Sequence, residues 1–351
     1  MGKRRCYVSR CYPHNLSGGF KAKMDIESIM EQNNFHNLGL EQKTNSNKIY
    51  AFFYNLLSIL KAVISVKEND ILVIQYPLKK YYYLLSAVAK FKNAKVIALI
   101  HDLGCFRRKR LTIDQEKKRL SHTDHLIVLS DKMKDFVVEK GYKQTFSVLY
   151  LWDYLNDTTP QPRSYPNLNE IHVLYVGSLK KEQKGFIYKW DDSKITTKLY
   201  LNIYGPYFDV KSIKNKDQFI YHGLKDSSLI IKETTAHYGL LWDSSEFKYI
   251  SGAYGEYLKY NTSHKISLYI HAHLPLIVWS EASIAEFAKE HNIGICVDSL
   301  ENLEELLQNV SEEEYLRMVD NTRKLSNKIN QGYYFMTAYE KGEQLLLTNS
   351  K

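Results

Sequence analysis

The chain has 351 residues, of which 44% are hydrophobic and 25% are charged. This composition is typical of a folded globular protein and excludes a disordered or fibrous chain, and the length suits two domains. We expect no membrane span, because the most apolar stretch, residues 51–66, is interrupted by Asn55, Ser58 and Lys61.

The distribution of charge and the spacing of the cysteines limit the partners and the cellular location to be expected. Residues 1–150 hold 26 Lys and Arg against 13 Asp and Glu, whereas the remainder has a small negative balance. A basic half indicates nucleic acid, an anionic membrane surface or a phosphate-bearing acceptor as partner, or only a lysine-rich solvated surface. Four cysteines without CxxC spacing predict reduced thiols, no zinc site and a cytoplasmic location, and no secretory signal is recognised.

Strand-like and helix-like segments alternate along the first half. Apolar runs predict strands at residues 6–12, 70–77, 94–102, 124–130 and 146–152. Helix-compatible segments lie at residues 20–33, 49–67, 78–91, 113–121 and 131–140. Continuous apolar strands separated by helices indicate βαβ units and a parallel sheet, so residues 1–155 are predicted to form a Rossmann-like domain.

The pattern breaks and then restarts. Residues 156–170 hold three prolines and no apolar periodicity, which predicts an interdomain linker. Further strands are predicted at residues 171–179, 198–205, 218–223, 238–243, 274–280 and 293–297, with helices at 226–235, 264–272, 283–291 and 300–310. Residues 171–330 therefore read as a second Rossmann-like domain. The chain is helical in pattern from residue 311 onward, and residues 331–351 are predicted to form a final helix on the first domain.

Ligands of such α/β sheets bind beyond the carboxyl ends of the strands. In the first half, "LSGGF" places Ser17, Gly18 and Gly19 before the first helix, as an anion-binding or hydroxyl-binding loop or simply a tight turn. It matches neither dinucleotide nor P-loop glycine patterns. His101 and Asp102 end a core strand, where either residue can act as a general base or serve only to cap and pack.

In the second half, "VGSLKK" ends a strand with Gly177 and Ser178, and Lys180, Lys181 and Lys184 follow. Backbone amides and ammonium groups of this kind cradle phosphates, although a solvated lysine loop is the competing interpretation. The strongest candidate is "NTSHK": Asn261, Ser263 and Lys265 stand at a predicted helix N-terminus, where free amides and the helix dipole favour a diphosphate. Ordinary capping by Thr262 or Ser263 is compatible with that role.

The stretch around this helix resembles a bacterial family of galactofuranosyltransferases and adhesin-glycan glucosyltransferases. The family pattern of Gly-Leu-Val-Trp-Asp, Gly-x-Tyr-x-x-Tyr-Asn-x-Pro-His-Lys and Gly-x-Pro-Val-Ile-Val-Trp is met by residues 239–243, Gly255, Tyr257, Tyr260, Asn261, His264, Lys265 and 275–279. Ser263 replaces the usual proline, and His273 stands where glycine is common. The resemblance implies a GT-B fold, with two facing Rossmann-like domains and a C-terminal helix that crosses back to the first.

The resemblance also implies a function. A cytoplasmic hexosyltransferase would move galactofuranose or glucose from a UDP-sugar, as co-substrate, to a hydroxyl of a growing cell-surface glycan. The donor would contact residues of the second domain, namely Gly177, Ser178, Lys180, Tyr204, Gly205, Asn261, Ser263, His264 and Lys265. His101 or Asp102 would be the catalytic base, and Ser17, Gly18 and Gly19 would lie on the acceptor side. No Asp-x-Asp motif occurs, so neither a metal nor a resident cofactor is expected.

The partners that follow are the UDP-sugar and a glycan acceptor, which a lipid pyrophosphate would carry. The basic segments at residues 79–83 and 107–110 would then bring the enzyme to the anionic inner membrane surface as a peripheral protein, and a homo-oligomer is conceivable. Two alternatives stay open from sequence. One is a nucleotide-sugar epimerase or hydrolase of the same fold, and the other is a basic nucleic-acid-binding protein, although no recognition module is seen.

Overall fold

A computed structural model describes residues 3–14, 18–78, 80–106, 111–190, 198–214 and 216–348. The chain divides into two compact units. Unit 1 comprises residues 1–153 and 332–351, and unit 2 comprises residues 154–331. Unit 1 is therefore discontinuous, because its last helix comes from the end of the chain. Each unit is an α/β structure built on a parallel sheet, as the sequence predicts.

Unit 1 alternates strands and helices. Its strands are β1 (Arg5–Tyr7), β2 (Cys11–Tyr12), β3 (His36–Asn37), β4 (Lys43–Thr44), β5 (Ile71–Tyr76), β6 (Lys95–Ile100), β7 (His125–Val128) and β8 (Thr145–Val148). Its first helices are α1 (Gly18–Gln32), α2 (Lys48–Ser65), α3 (Lys80–Phe91), α4 (Ile113–Arg119) and α5 (Asp131–Glu139). The main sheet has the order β3-β1-β5-β6-β7-β8, and β2 pairs separately with β4.

Unit 2 repeats this architecture. Its strands are β9 (Ile171–Val176), β10 (Leu199–Tyr204), β11 (Phe219–Tyr221), β12 (Tyr238–Leu241), β13 (Leu276–Trp279) and β14 (Gly294–Val297). Its helices are α6 (Gly185–Trp190), α7 (Ser227–Glu233), α8 (Gly252–Glu256), α9 (His264–His271), α10 (Ala285–Glu290), α11 (Leu303–Gln308) and α12 (Glu312–Ile329). The sheet order β11-β10-β9-β12-β13-β14 is the 3-2-1-4-5-6 order of nucleotide-binding Rossmann folds.

Most predicted elements occur within a few residues of their expected bounds. The predicted strand at residues 6–12 is divided into β1 and β2, because the chain leaves the main sheet between them and pairs with β4. The two-residue strands β3 and β4 and the short helices α6 and α8 were not predicted, since elements of this length show no measurable periodicity.

The segment at residues 156–170, which the sequence predicts to be a linker, belongs to unit 2. Arg163 fixes it there. Its guanidinium donates hydrogen bonds to the carbonyls of Thr234, at 2.8 Å, and Ala272, at 3.0 Å. The prolines therefore mark an extended segment that lies against a domain, because a proline-rich composition excludes helix but not packing.

The final helix, α13 (Tyr333–Thr348), packs on β7 and β8 of unit 1. Asp153 accepts hydrogen bonds from the backbone amides of Tyr334 and Phe335, at 3.1 and 2.7 Å, and so caps the helix N-terminus. Near the other end, Arg5 of β1 forms a two-point ion pair with Glu343, with its shorter contact at 2.6 Å. The expected return of the last helix to the first domain is thus held at both ends.

The expectation that no stretch suits a membrane span is wrong for α2. By length and composition alone, Lys48–Ser65 is long and apolar enough to cross a bilayer, and only 17% of it is buried. Of the three interruptions that argued against a span, Asn55 and Ser58 share the inner face of the helix, and Lys61 is exposed among mainly apolar side chains.

A substitution at Gly342 can test how closely α13 packs on β7. A Cβ at this position would lie 2.6 Å from the ring of His125, which is fully buried and bonded to Thr145 and Ser147. Overpacking costs about 1–3 kcal/mol, whereas replacing a helical glycine by alanine gains about 1 kcal/mol. We expect Gly342→Ala to lower the free energy of unfolding, measured in urea.

The exposed neighbour Lys341 supplies the control for this test. Lys341→Ala should leave the free energy of unfolding nearly unchanged. If Gly342→Ala stabilised the protein, the close contact between α13 and β7 would be contradicted.

Candidate functional site

The candidate site lies at the carboxyl ends of β9 and β12 in unit 2. These two strands are neighbours in the sheet. The strands that follow β9 in the chain, β10 and β11, extend the sheet on one side, and those that follow β12, β13 and β14, extend it on the other. Rossmann folds bind their ligands at such a switch point. Tyr175 and Gly177 stand at the end of β9, and Asp243 follows β12 by two residues.

Asp243 gathers three donors on one carboxylate oxygen. Its Oδ1 atom accepts a hydrogen bond from the Tyr175 hydroxyl at 2.8 Å. The Nζ atoms of Lys184 and Lys265 form ion pairs with the same oxygen, at 2.7 and 3.0 Å. Lys265 Nζ also lies 4.4 Å from the centre of the Tyr175 ring. We call Tyr175, Lys184, Asp243 and Lys265 the lysine–aspartate cluster.

The lysine–aspartate cluster has a net positive charge. Burial alone would raise the pKa of Asp243, but the two ammonium groups outweigh it and hold that pKa well below its usual range. The carboxylate is therefore ionised throughout the physiological range. Two ammonium groups against one carboxylate leave an excess of one positive charge, which suits an anionic ligand.

Two glycines bring the loops after β9 and β10 together. Gly177 and Gly205 have φ angles of 150° and 143°, in the region that favours glycine. A Cβ on Gly205 would lie 1.8 Å from the carbonyl oxygen of Gly177. A Cβ on Gly177 would point towards Lys265 Nζ, at 3.7 Å. Only glycine permits this approach, and it leaves backbone accessible beside the lysine.

The first turn of α9 lies beside the cluster, because Tyr269 of this helix is hydrogen-bonded to two strands of the sheet. The Tyr269 hydroxyl accepts a hydrogen bond from the amide of Val176 and donates one to the carbonyl of Leu240, at 3.0 and 3.2 Å. A Cβ on Gly239 would lie 2.5 Å from the Tyr269 ring, so glycine is needed for the helix to pack this closely on β12. The glycine of the "GLLWD" motif is thereby explained by packing.

The N-terminus of α9 lies at the same place. Ser263 is the N-cap, yet its side chain makes no capping hydrogen bond, so the alternative of ordinary capping by this hydroxyl is not what the structure shows. Lys265 is the second helical residue. Helix N-termini without a side-chain cap present amides and a positive dipole to anions.

The other predicted donor residues are distributed around this site. Gly177, Gly205 and Lys265 meet, and buried Tyr204 stacks on His222 with the ring centres 4.2 Å apart. Ser178 is partly exposed beside Gly177. Lys180 is exposed and lies 4.8 Å from the Tyr207 ring centre, so the inward lysine of this loop is Lys184.

Two predicted residues near the start of α9 have structural contacts. The ring of His264 lies 5.0 Å from that of Tyr154. The Asn261 carbonyl accepts a hydrogen bond from the Ser283 hydroxyl at 3.0 Å. Their roles in binding a donor stay predictions.

In unit 1, hydrogen bonds fix the ring of His101. Its Nε2 lies 2.7 Å from Oε1 of Gln75, whose Nε2 donates to the carbonyl of Lys23 at 3.0 Å. A carbonyl accepts only from the amide nitrogen, so the amide oxygen of Gln75 faces the imidazole. Neutral His101 therefore carries its proton on Nε2, and Nδ1 is its basic atom. The ring also stacks on Trp152, with centres 4.5 Å apart.

The remaining predictions in unit 1 are located as follows. Asp102 follows His101 and is partly exposed. Gly18 and Gly19 are exposed at the start of α1, and Ser17 lies outside the described residues. Among the residues that the structure describes, no group of three or more His, Cys, Asp or Glu could hold a metal ion.

Sequence reasoning missed Tyr175 and Asp243 as site residues, and it treated Lys184 only as one of several loop lysines. Asp243 carried a usable signal, since it stands just beyond a buried strand, where ligands bind. No sequence signal indicates that Lys184 rather than Lys180 pairs with Asp243, because the pairing depends on the conformation of the loop before α6.

The lysine–aspartate cluster predicts that the free energy of unfolding depends on the balance of charges within it. Asp243→Asn would leave two largely buried ammonium groups close together without their carboxylate, and breaking a buried pair costs about 3–5 kcal/mol. We expect a loss of that order in the free energy of unfolding in urea. Asp243→Asn combined with Lys184→Met should recover a large part of the loss, because one of the repelling charges is gone. Strict additivity of the two substitutions would contradict the cluster.

Comparison with known proteins places this chain in a family. The protein-family model described as glucosyltransferase 3-like, N-terminal domain, matches residues 5–151. The family model for the C-terminal domain of the same proteins matches residues 173–341. The chain is 26% identical over 325 residues to the beta-1,6-galactofuranosyltransferase WbbI of Escherichia coli K12, covering 92% of this chain and 93% of WbbI.

Two solved structures share the fold. The lipopolysaccharide outer core galactosyltransferase WaaB superposes with a TM-score of 0.61 at 13% identity, covering 97% of this chain and 98% of WaaB. HepE from Anabaena, solved in complex with UDP, superposes with a TM-score of 0.59 at 10% identity, covering 97% and 99%. The GT-B fold expected from sequence is thereby confirmed, and nothing supports an epimerase, a hydrolase or a nucleic-acid-binding protein. The chain is a glycosyltransferase and belongs to the glucosyltransferase 3-like family.

Proposed function

We propose that this enzyme transfers galactofuranose or glucose from a UDP-sugar to a hydroxyl of a growing cell-surface glycan. The observation that carries the proposal is the net positive lysine–aspartate cluster at the N-terminus of α9, where the Ser263 side chain makes no capping hydrogen bond. The names of the family and of WbbI support these two sugars, and the UDP complex of HepE supports the nucleotide.

The donor diphosphate is the ligand that this site suits. Lys265 and Lys184 supply ammonium groups, α9 supplies backbone amides, and Gly177 leaves room for phosphate oxygens against the backbone beside Lys265. Asp243 holds both lysines without neutralising them. The donor bond breaks with its electron pair going to the diphosphate oxygen, so negative charge develops on the leaving group. Fixed positive groups stabilise that charge more in the transition state than in the bound donor.

We propose that transfer proceeds without a metal ion. The reason is that Lys184, Lys265 and the dipole of α9 supply at the diphosphate the positive charge that a divalent cation would otherwise provide. No resident cofactor is required, because glycosyl transfer needs neither redox nor carbanion chemistry.

The acceptor hydroxyl must lose a proton as it bonds to the sugar. We assign this proton to Nδ1 of His101, with Asp102 as the competing base. Gln75 is a positioning residue: its amide oxygen holds the Nε2 proton and so keeps Nδ1 basic. Gly18 and Gly19, exposed at the start of α1, stay our candidates for acceptor contacts.

Lys265→Met tests the donor site. Asp243 keeps Lys184 as partner in this variant, so the fold should persist. We expect UDP affinity to fall about 30-fold or more, as for loss of one charged hydrogen bond to a phosphate, and acceptor-dependent UDP release to fall about 100-fold. Calorimetry and a UDP-release assay, both with EDTA present, measure these quantities.

Lys180→Met is the matched control, because Lys180 is exposed and lies against Tyr207 instead. It should change UDP affinity by less than about three-fold. Equal UDP affinity in the wild type and Lys265→Met would remove Lys265 as phosphate anchor. Loss of all wild-type activity in EDTA would refute the metal-free mechanism, and UDP release independent of any acceptor would indicate hydrolysis.

The pH profile identifies the base. His101→Gln should lower kcat/KM about 100-fold or more and abolish the acid limb of the profile. Gln75→Glu should keep activity but move that limb to higher pH, because a carboxylate beside the imidazole raises the pKa of His101. If Asp102→Asn abolishes the limb while His101→Gln retains it, the base is Asp102.

A further inference from the structure

Helix α2 departs from an ordinary surface helix, because polar side chains hold its inner face on the fold beside buried Ile59 and Ala62, while its outer face is largely apolar. On the inner face, the Asn55 side chain accepts a hydrogen bond from the Cys11 amide at 2.8 Å. Ser58 is fully buried and donates to the carbonyl of Ser9 at 2.7 Å. Surface helices normally bury their apolar stripe and expose their polar one. Here polar side chains attach the helix to the fold.

The outward face of α2 is apolar instead. Six large apolar residues on this helix are 46–79% exposed: Ile49, Phe52, Phe53, Leu57, Leu60 and Ile64. Scattered exposed hydrophobic residues are normal, but a contiguous row along one helix marks an interaction surface. An 18-residue helix is about 27 Å long, so this row forms an extended ridge.

Helix α3 enlarges the ridge. Its residues Tyr83, Leu84 and Phe91 are 46%, 42% and 88% exposed. Just beyond α3, Lys92 Nζ donates hydrogen bonds to the carbonyls of Val63 and Val66 at the end of α2, both at 2.9 Å. This lysine caps the C-terminus of α2 and ties the two helices together. We call the exposed residues of both helices the α2–α3 surface.

The charges on these helices are of one sign. Neither Lys48–Ser65 nor Lys80–Phe91 contains an Asp or Glu. Lys48, Lys61 and Lys90 are exposed on them, and Lys90 lies 3.7 Å from the carboxylate of Asp124. Exposed Lys67 and Glu68 follow α2 and balance each other in charge. A second copy of this chain would bring the same lysines to its own contact and lose energy by repulsion. A surface rich in phosphate headgroups complements both the apolar ridge and its basic rim.

We propose that the α2–α3 surface docks this enzyme on an anionic lipid membrane. The helix lies in the plane of the interface rather than across the bilayer, because Asn55 and Ser58 hold its inner face on the fold. Phenylalanine and leucine side chains enter the boundary between headgroups and acyl chains, and the lysines contact lipid phosphates. The proposal is independent of the donor site, which lies in unit 2.

Vesicle flotation of the full-length protein tests this docking. Wild type should float with vesicles containing phosphatidylglycerol, bind pure phosphatidylcholine more weakly, and lose affinity as salt is raised. The combined variant Phe53→Ser, Leu57→Ser, Ile64→Ser should bind about 100-fold more weakly, since three apolar side chains no longer leave water. Lys48→Gln with Lys61→Gln should weaken binding about 25-fold, or about five-fold for each lysine.

The matched control is Leu229→Ser, Leu306→Ser, Leu316→Ser, which removes three exposed leucines of unit 2. It should float like the wild type. Failure of the wild type to float with anionic vesicles, or undiminished flotation of the α2 variant, would overturn the proposal. So would a wild-type oligomer that the α2 variant dissociates while neither protein floats, because the surface would then join copies of the chain. UDP affinity, measured on the same samples, should be unaffected, which separates this result from that of the donor site.

Discussion

The Asp243 carboxylate is the contact on which the geometry of unit 2 depends most directly. Through one oxygen it binds a tyrosine from β9, a lysine from the loop before α6 and a lysine from the first turn of α9. Two ammonium groups so close together would repel each other without it. The same contact therefore joins three elements and holds two ammonium groups against one carboxylate at the end of the sheet, which leaves a net positive charge there. Stability and the capacity to bind an anion have one physical origin here.

Close backbone approach is the second requirement of this arrangement. A Cβ on Gly205 would meet the backbone of Gly177, and a Cβ on Gly239 would meet the ring of Tyr269. Gly177 itself has a φ of 150°, so the three glycines together allow two loops and one helix to converge. His273 shows the opposite case. It ends the turn after α9 with a φ of 58°, a conformation that glycine adopts at lower energy. The family pattern commonly has glycine at this position, and the reason is this backbone conformation rather than ligand contact.

Much of the fold could be predicted from sequence, because continuous apolar strands separated by amphipathic helices leave few alternatives to parallel sheets. The ends of those strands also indicated Gly177, His101 and Asp102 as candidates, and the start of a predicted helix indicated Lys265; the roles of all four stay predictions. The partners of these residues could not be predicted. The pairing of Lys265 with Asp243 joins positions 22 residues apart, and the orientation of His101 by Gln75 joins neighbouring strands. Such contacts follow from register and loop conformation, which local patterns do not encode. The apolar face of α2 was overlooked for a related reason: a criterion of unbroken apolar length ignores which face the polar residues occupy.

The discontinuity of unit 1 has a consequence for how the protein is made. Residues 1–153 leave the ribosome first, yet β7 and β8 acquire their covering helix only when α13 has been synthesised, after the whole of unit 2. Unit 2 is continuous and can complete its own core in the meantime. Until α13 emerges, buried His125 has no helix beside it, and the Ser147 hydroxyl lacks its hydrogen-bond acceptor, the carbonyl of Ala338. Unit 1 is thus completed after unit 2, and a stop within α13 would leave unit 2 intact and the sheet of unit 1 uncovered.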